Sequence, residues 1–302
     1  MKIQGKKYYE VRPGLDSVRF VLTYALLTLL ARQAQKRPFK LFTELTGNID
    51  RHILSEGLFE RGVIDLLSDV IRSVGQRKLM IDIGANIGNH TVAWASLFDK
   101  VEAVEPHPVL FRVLTANVLR NELSHVTCHN FGLAGEDARG TLAESPGNHA
   151  ISRVKERSRL SPEIFGLSND EFANEYSIEL RSTAEFLAGY GEDLNECFIK
   201  IDVEGMEQEI LTAMRPLLEQ YKPLIGFEWF TRQQPELTAM VSNLEGYRLM
   251  GVRQHDVGKN RLWRSVKLVF TGRSYRLEPL TPGNLDDFYP LAVLVPSSRV
   301  LN

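Results

Sequence analysis

Residues 79–88 of this 302-residue chain, LMIDIGANIG, constrain its fold more than any other stretch. Leu79, Met80 and Ile81 make a short apolar run suited to a parallel strand buried on both faces, with Asp82 near its end. Gly84, Asn86 and Gly88 predict a sharp turn, because glycine and asparagine reach backbone conformations with positive φ that other residues avoid. The apolar-periodic TVAWASLF that follows predicts a helix. A glycine turn joining a strand to a helix N-terminus is the ligand-binding corner of a doubly wound sheet. The dinucleotide pattern G-x-G-x-x-G is not met, since Asn86 and Asn89 stand at its second and third glycines.

The strand–helix alternation continues from that corner. Residues 101–105 predict a second strand, stopped by Pro106 and Pro108, and residues 109–121 a helix. Residues 125–131 predict a third strand, 197–202 a fourth and 223–228 a fifth. Before the corner, residues 50–74 predict a helix with a break at Gly57. Between 132 and 196 the parallel pattern lapses into short strand candidates, GTLAES and EYSIELRS, around an irregular segment, with a short helix near 183–190. A helix near 235–244 and strands at 247–252 and near 291–295 close the chain, compatible with antiparallel strands added to a parallel core. Arg153, Lys155, Arg157 and Arg159 alternate, so an extended chain would show four positive charges on one side; balance by Glu156 and Glu163 is the plainer reading.

Composition narrows the function. A hydrophobic content of 43% can build a full core. A net charge of -2 and a pI near 6.4 offer nucleic acid no global attraction. Cys128 and Cys197 lie in apolar segments without metal spacing, which predicts reduced thiols and a cytoplasmic protein. Residues 18–31, VRFVLTYALLTLLA, are the most apolar run, short of the roughly 20 residues a bilayer span needs. They predict a helix packed on the domain or on a second copy in a homo-oligomer, with membrane-surface contact through residues 18–40 and their basic side chains as the alternative.

Glu105 stands 23 positions beyond Asp82 at the end of the second strand. A carboxylate there suits ribose, because it accepts two hydrogen bonds from a diol. Asn130 and Leu133 follow the third strand, where an adenine ring would rest. Asp202 ends the fourth strand, in the place for a base beside the ligand, with Glu204, Glu228 and His90 as further candidates. Asp202, Glu204 and Glu228 together could hold a divalent cation through oxygen ligands. The plainer readings make Glu204 a helix cap, Glu228 a solvated strand end and His90 structural.

The spacing Asp82-x-Gly84-x-Asn86-x-Gly88, together with Glu105-Pro106 and Lys200-Ile201-Asp202-Val203-Glu204-Gly205-Met206-Glu207, resembles the FkbM-type S-adenosylmethionine-dependent methyltransferase family. The likeness runs from about residue 57 to 246. It implies a class I, Rossmann-like α/β fold: a doubly wound, mostly parallel seven-stranded sheet with an antiparallel closing strand. Residues 51–302 would form that domain and residues 1–50 an N-terminal helical extension. The resemblance further implies S-adenosyl-L-methionine as cofactor and O-methylation of a sugar, glycan or other small hydroxylated acceptor. Asp82, Gly84, Ala85, Asn86, Gly88, Glu105 and Pro106 would then hold the cofactor, with Asp202 and Glu204 facing its reacting end. Ser182-Thr183-Ala184-Glu185 departs from the Thr-Leu-Asp segment common in relatives. Two rivals stand beside this reading. A methyltransferase acting on base amino groups usually has an Asp/Asn-Pro-Pro-aromatic turn, where this chain has DVEG. A non-catalytic scaffold on the same fold predicts a damaged cofactor corner.

Overall fold

Both faces of residues 79–83 are buried, as their apolar run predicts, and the layering of the molecule follows from that. The computed structural model of the chain describes residues 56–145, 148–160, 174–255, 274–281 and 283–299, with isolated positions between 21 and 53. Its elements, in chain order, begin with α1 (Arg61–Val74), β1 (Leu79–Ile83), α2 (Asn89–Trp94), β2 (Lys100–Val104), α3 (Pro108–Arg120) and β3 (Val126–His129). Four strands and a helix follow: β4 (Gly132–Ala134), β5 (Ala138–Ser145), β6 (Asn148–Val154), β7 (Asn174–Ser182) and α4 (Thr183–Ala188). Then come β8 (Cys197–Ile201), α5 (Glu207–Ala213), α6 (Arg215–Tyr221), β9 (Leu224–Phe230) and α7 (Pro235–Ser242), and finally β10 (Tyr247–His255), β11 (Ser274–Pro279) and β12 (Phe288–Pro296).

The larger sheet has the order β11-β10-β12-β9-β8-β1-β2-β3. Its core, β3-β2-β1-β8-β9, is parallel, and β12 runs antiparallel between β9 and β10. This is the doubly wound, mostly parallel sheet with an antiparallel closing strand that the resemblance implies. Among the described residues this sheet has eight strands, against the seven expected. The addition is β11, antiparallel on the outer edge of β10 and formed by residues beyond the family likeness. The cause is packing: Tyr275 and Leu277 of β11 lean on the cluster that α1 shares with the sheet. A Cβ at Gly62 of α1 would lie 2.3 Å from the Tyr275 ring, so the close approach needs glycine there.

Alternation along β1 sorts its side chains to the two faces. Leu79, Ile81 and Ile83 join a cluster with Ile210, Leu211 and Met214 on one side, while Met80 packs with Leu67 of α1 and Trp94 of α2 on the other. Burying each such side chain contributes about 1.5–3 kcal/mol, which holds the strand rigidly beneath the glycine turn. Gly57, at φ 92°, breaks the chain ahead of α1, and Gly75, at φ 76°, ends that helix.

The lapse between residues 132 and 196 is a second sheet with the order β4-β7-β5-β6. The two strand candidates there are the central pair, β5 and β7, joined antiparallel. The predicted N-terminal helix falls largely outside the described residues. Where it is described, Val21, Leu22, Tyr24 and Leu29 are helical and 62–66% exposed, so of the two packing surfaces expected, domain or second copy, the domain does not cover these positions. Farther on, the Phe42 and Lys40 N–H groups donate to Asn117 and Asn121, tying residues 40–42 to α3. Among the described residues no helix is long and apolar enough to cross a membrane.

Candidate active site

The glycine corner is shaped by its neighbours in the sheet. Gly84 has φ 79°, and a Cβ on it would lie 1.8 Å from the carbonyl oxygen of Asp202. The chain leaving β8 therefore crosses so close to the turn that only glycine fits. The N–H groups of Gly84 and Ala85 both donate to Val104 O, at 2.9 and 3.0 Å, clamping the turn to the end of β2. Asn86 is left-handed at φ 54°, and Gly88, at φ 85°, precedes α2.

That clamp brings Glu105 against the turn. Its Oε2 accepts the Asn86 N–H at 2.7 Å and its Oε1 the His107 N–H at 2.8 Å. Burial drives its carboxyl up to about 7, although those two N–H donors favour the ionised form. Asn130 braces the same corner from outside, donating to the carbonyl oxygens of Glu105 and Pro106.

A cleft open to solvent lies over this corner. Of the residues expected from sequence, Gly84, Asn86, Glu105, Pro106, Leu133, Asp202 and Glu204 line it. Ala85, Gly88 and Asn130 support its wall without lining it. Asp82 lies underneath, fully buried, accepting the Thr91 hydroxyl at 2.6 Å. His90 stands apart, stacked on Trp94 at 5.0 Å and 3.7 Å from Glu60. Burial first and Lys200 second hold its imidazole well below its ordinary value, hence neutral.

Lys200 is the residue that sequence reasoning left without a role. Its Nζ lies 3.4 Å from Asp82 and 3.2 Å from Asp202, with the lysine side chain 2% exposed. Burial alone would lower its pKa, but the two carboxylates together hold it above the ordinary range. A lysine inside the apolar run CFIKI was the available signal, because a buried cation demands a buried partner. Around Asp202, burial and then the Asp202 charge raise Glu204 and Glu228 well above normal and Glu60 to about 7. Asp202, Glu204 and Glu228 offer carboxylate oxygens within 4.8 Å of one another, a donor set suited to a hard cation.

The capping reading of Glu204 is corrected. Met206 precedes α5 without a side-chain cap, and Glu207 fills that need, accepting the Val203 and Gly205 N–H groups at 3.1–3.2 Å. Glu204 is instead held in a left-handed turn at φ 51°, its carbonyl accepting the Ser158 hydroxyl at 2.6 Å. The four alternating basic residues each have a partner on the protein itself, Lys155 and Arg159 at the exposed surface. Lys155 pairs with Glu175 at 2.7 Å, Arg157 with Glu209, Arg159 with Glu236 at 3.3 Å, and Arg153 donates to Leu160 O at 3.1 Å.

The far wall of the cleft was not foreseen. Leu142, Ser152, Val154 and Leu180 line it from the four-stranded sheet, the sheet that also carries Leu133. Aliphatic walls close to one carboxylate and one left-handed backbone turn suit a flat heteroaromatic ring joined to a sugar.

A family profile described as the methyltransferase FkbM domain matches residues 82–249. Methyltransferase sdnD of Sordaria araneosa is 29% identical over 166 residues, covering 48% of this chain and 63% of its own length. Methyltransferase 1 of Beauveria bassiana is 26% identical over 146 residues, covering 45% and 57%. The chain thus spans about three fifths of the length of these curated relatives. The crystal structure of methyltransferase FkbM from Methylobacillus flagellatus KT aligns over 72% of this chain and 44% of its own, with 18% identity and a TM-score of 0.43.

Proposed function

The chain belongs to the FkbM methyltransferase domain family, and from that premise we propose that it transfers a methyl group from S-adenosylmethionine to a hydroxyl of a sugar, glycan or other natural product. The observation that carries the reading is one cleft lined both by Glu105, at the end of β2, and by Asp202, just beyond β8.

The residues fit the cofactor. The Glu105 carboxylate, already held by two backbone N–H groups, keeps lone pairs for ribose hydroxyls. Leu133, Leu142, Val154 and Leu180 offer apolar faces for adenine. When bound, S-adenosylmethionine supplies a methyl group on a sulfonium. Asp202, with its side chain 38% exposed at the cleft, would take the proton of the acceptor hydroxyl as that oxygen receives the methyl group. Lys200 fixes the direction of the Asp202 carboxylate, and positioning of this kind is what an in-line displacement chiefly needs.

Labelled cofactor incubated with a panel of free and lipid-linked saccharides tests the reading. Methyl transfer onto a hydroxyl is expected. Cofactor binding without transfer to any hydroxylated acceptor would replace the enzyme with a binding protein on the same fold.

A further inference from the structure

The four-stranded sheet roofs the cleft, and one buried pair fastens it to the glycine corner. Leu142 and Glu144 are two residues apart on β5, so both point from the same face. Leu142 lines the cleft. Glu144, 1% exposed, brings its Oε2 to 3.4 Å from Nε2 of His107, which is 0% exposed. His107 sits two residues beyond Glu105 and caps α3: its Nδ1 accepts the N–H groups of Val109 and Leu110 at 3.2 and 3.4 Å. An imidazole nitrogen that accepts carries no proton, so the proton is on Nε2 and points at Glu144. Asn174 and Tyr176 of β7 join the pair. The Asn174 amide donates to Glu144 at 3.4 Å, and the Tyr176 ring packs on the imidazole at 4.6 Å.

These contacts form one path. The Asn86 N–H meets one oxygen of Glu105, the other oxygen meets the His107 N–H, and the His107 ring meets Glu144 on the roof strand. At its other side the roof rests on Met206 through its own apolar cluster. Met206 also lines the cleft.

We propose that His107 and Glu144 are positioning residues that hold the four-stranded sheet closed over the cofactor cleft, so that cofactor affinity depends on a pair that does not line it. The inference rests on the cleft taking S-adenosylmethionine. A roof that is closed only part of the time lowers the apparent affinity by that fraction.

The two functions of His107 can be separated by substitution. His107→Asn keeps an acceptor where Nδ1 stands and cannot reach Glu144. His107→Gln places an amide N–H where Nε2 stands and gives up the cap. His107→Asn and Glu144→Ala are each expected to weaken S-adenosylmethionine binding by about tenfold while the rate at saturating cofactor changes far less. The double variant is expected to be no weaker than either single one. His107→Gln is expected to lower Tm yet keep near wild-type affinity, a crossover that a merely structural role does not produce. Should the variants not fold, hydrogen exchange of residues 138–154 in the wild type decides: added cofactor is expected to slow it. Wild-type affinity in both His107→Asn and Glu144→Ala, additive losses in the double variant, or roof exchange indifferent to cofactor would each overturn the latch. Failure of the wild type to bind the cofactor at all would instead remove the functional reading on which it rests.

Discussion

Nζ of Lys200 lies 3.4 Å from Oδ1 of Asp82, and neither side chain is more than 2% exposed. Asp82 therefore serves as the buried counter-ion of the lysine that aims Asp202, one layer beneath the cleft. Removing either charge strands the other in the core. Lys200→Met is expected to lower unfolding stability by about 3–5 kcal/mol, the range for breaking a buried pair. Chemical denaturation measures it, and a loss under about 1 kcal/mol would mean the pair is reached by water.

Gly84 tests whether the corner is shaped by the sheet or by a ligand. Gly84→Ala must place its Cβ 1.8 Å from the Asp202 carbonyl oxygen at a φ of 79°. The left-handed conformation alone costs about 1–2 kcal/mol, and the clash adds to it. The expected result is a lower Tm in the cofactor-free protein. An unchanged Tm with weakened cofactor binding would show that the glycine answers only to the ligand.

Asp202→Asn keeps shape and removes the base. Single-turnover transfer at saturating cofactor and acceptor is expected to slow by about 100- to 10,000-fold, with cofactor affinity changing much less. A rate within a few-fold of wild type would move the role to Glu204, which also lines the cleft.

Glu105 makes cofactor binding depend on pH. Burial raises its carboxyl to about 7, so in the free protein it is largely protonated at pH 6. Ribose hydroxyls donate to the ionised form, so binding below pH 7 must release a proton. Affinity is expected to rise about tenfold from pH 6 to 8, and calorimetry in buffers of different ionisation enthalpy should register the released proton. Glu105→Gln should flatten the profile.

The same group sets a stability trend of definite sign. Its folded pKa, about 7, exceeds its ordinary 4.5, so between those values the folded state binds more protons than the unfolded one. Stability must fall as pH climbs through that window, by on the order of 3 kcal/mol at 1.36 kcal/mol per unit. Denaturation series at pH 5 and pH 8 would show it, and a flat or rising profile would contradict the buried carboxyl.

Short-range physics made much of this legible beforehand. The apolar run at 79–81, the glycine turn and the punctuation by Pro106 and Pro108 are local signals, and they predicted β1, β2, α3 and the corner between them. The same locality placed Asp202 at the end of β8, beside the cleft. Tertiary structure decided what depends on register between distant strands. The pairing of β1 with β8 sets Asp82 opposite Lys200, so Asp82 faces a lysine in the core rather than the cleft. Antiparallel pairing of β5 and β7 sets Leu142 opposite Tyr176 and Glu144 opposite Asn174, and so builds the roof and its latch to His107. Glu207 rather than Glu204 holds the turn before α5, because burial brings it within reach of Val203, Gly205 and Gln234 together. Side-chain alternation tells which face a residue takes, but not which strand lies beside it, and the partner of a buried charge is a matter of the neighbouring strand.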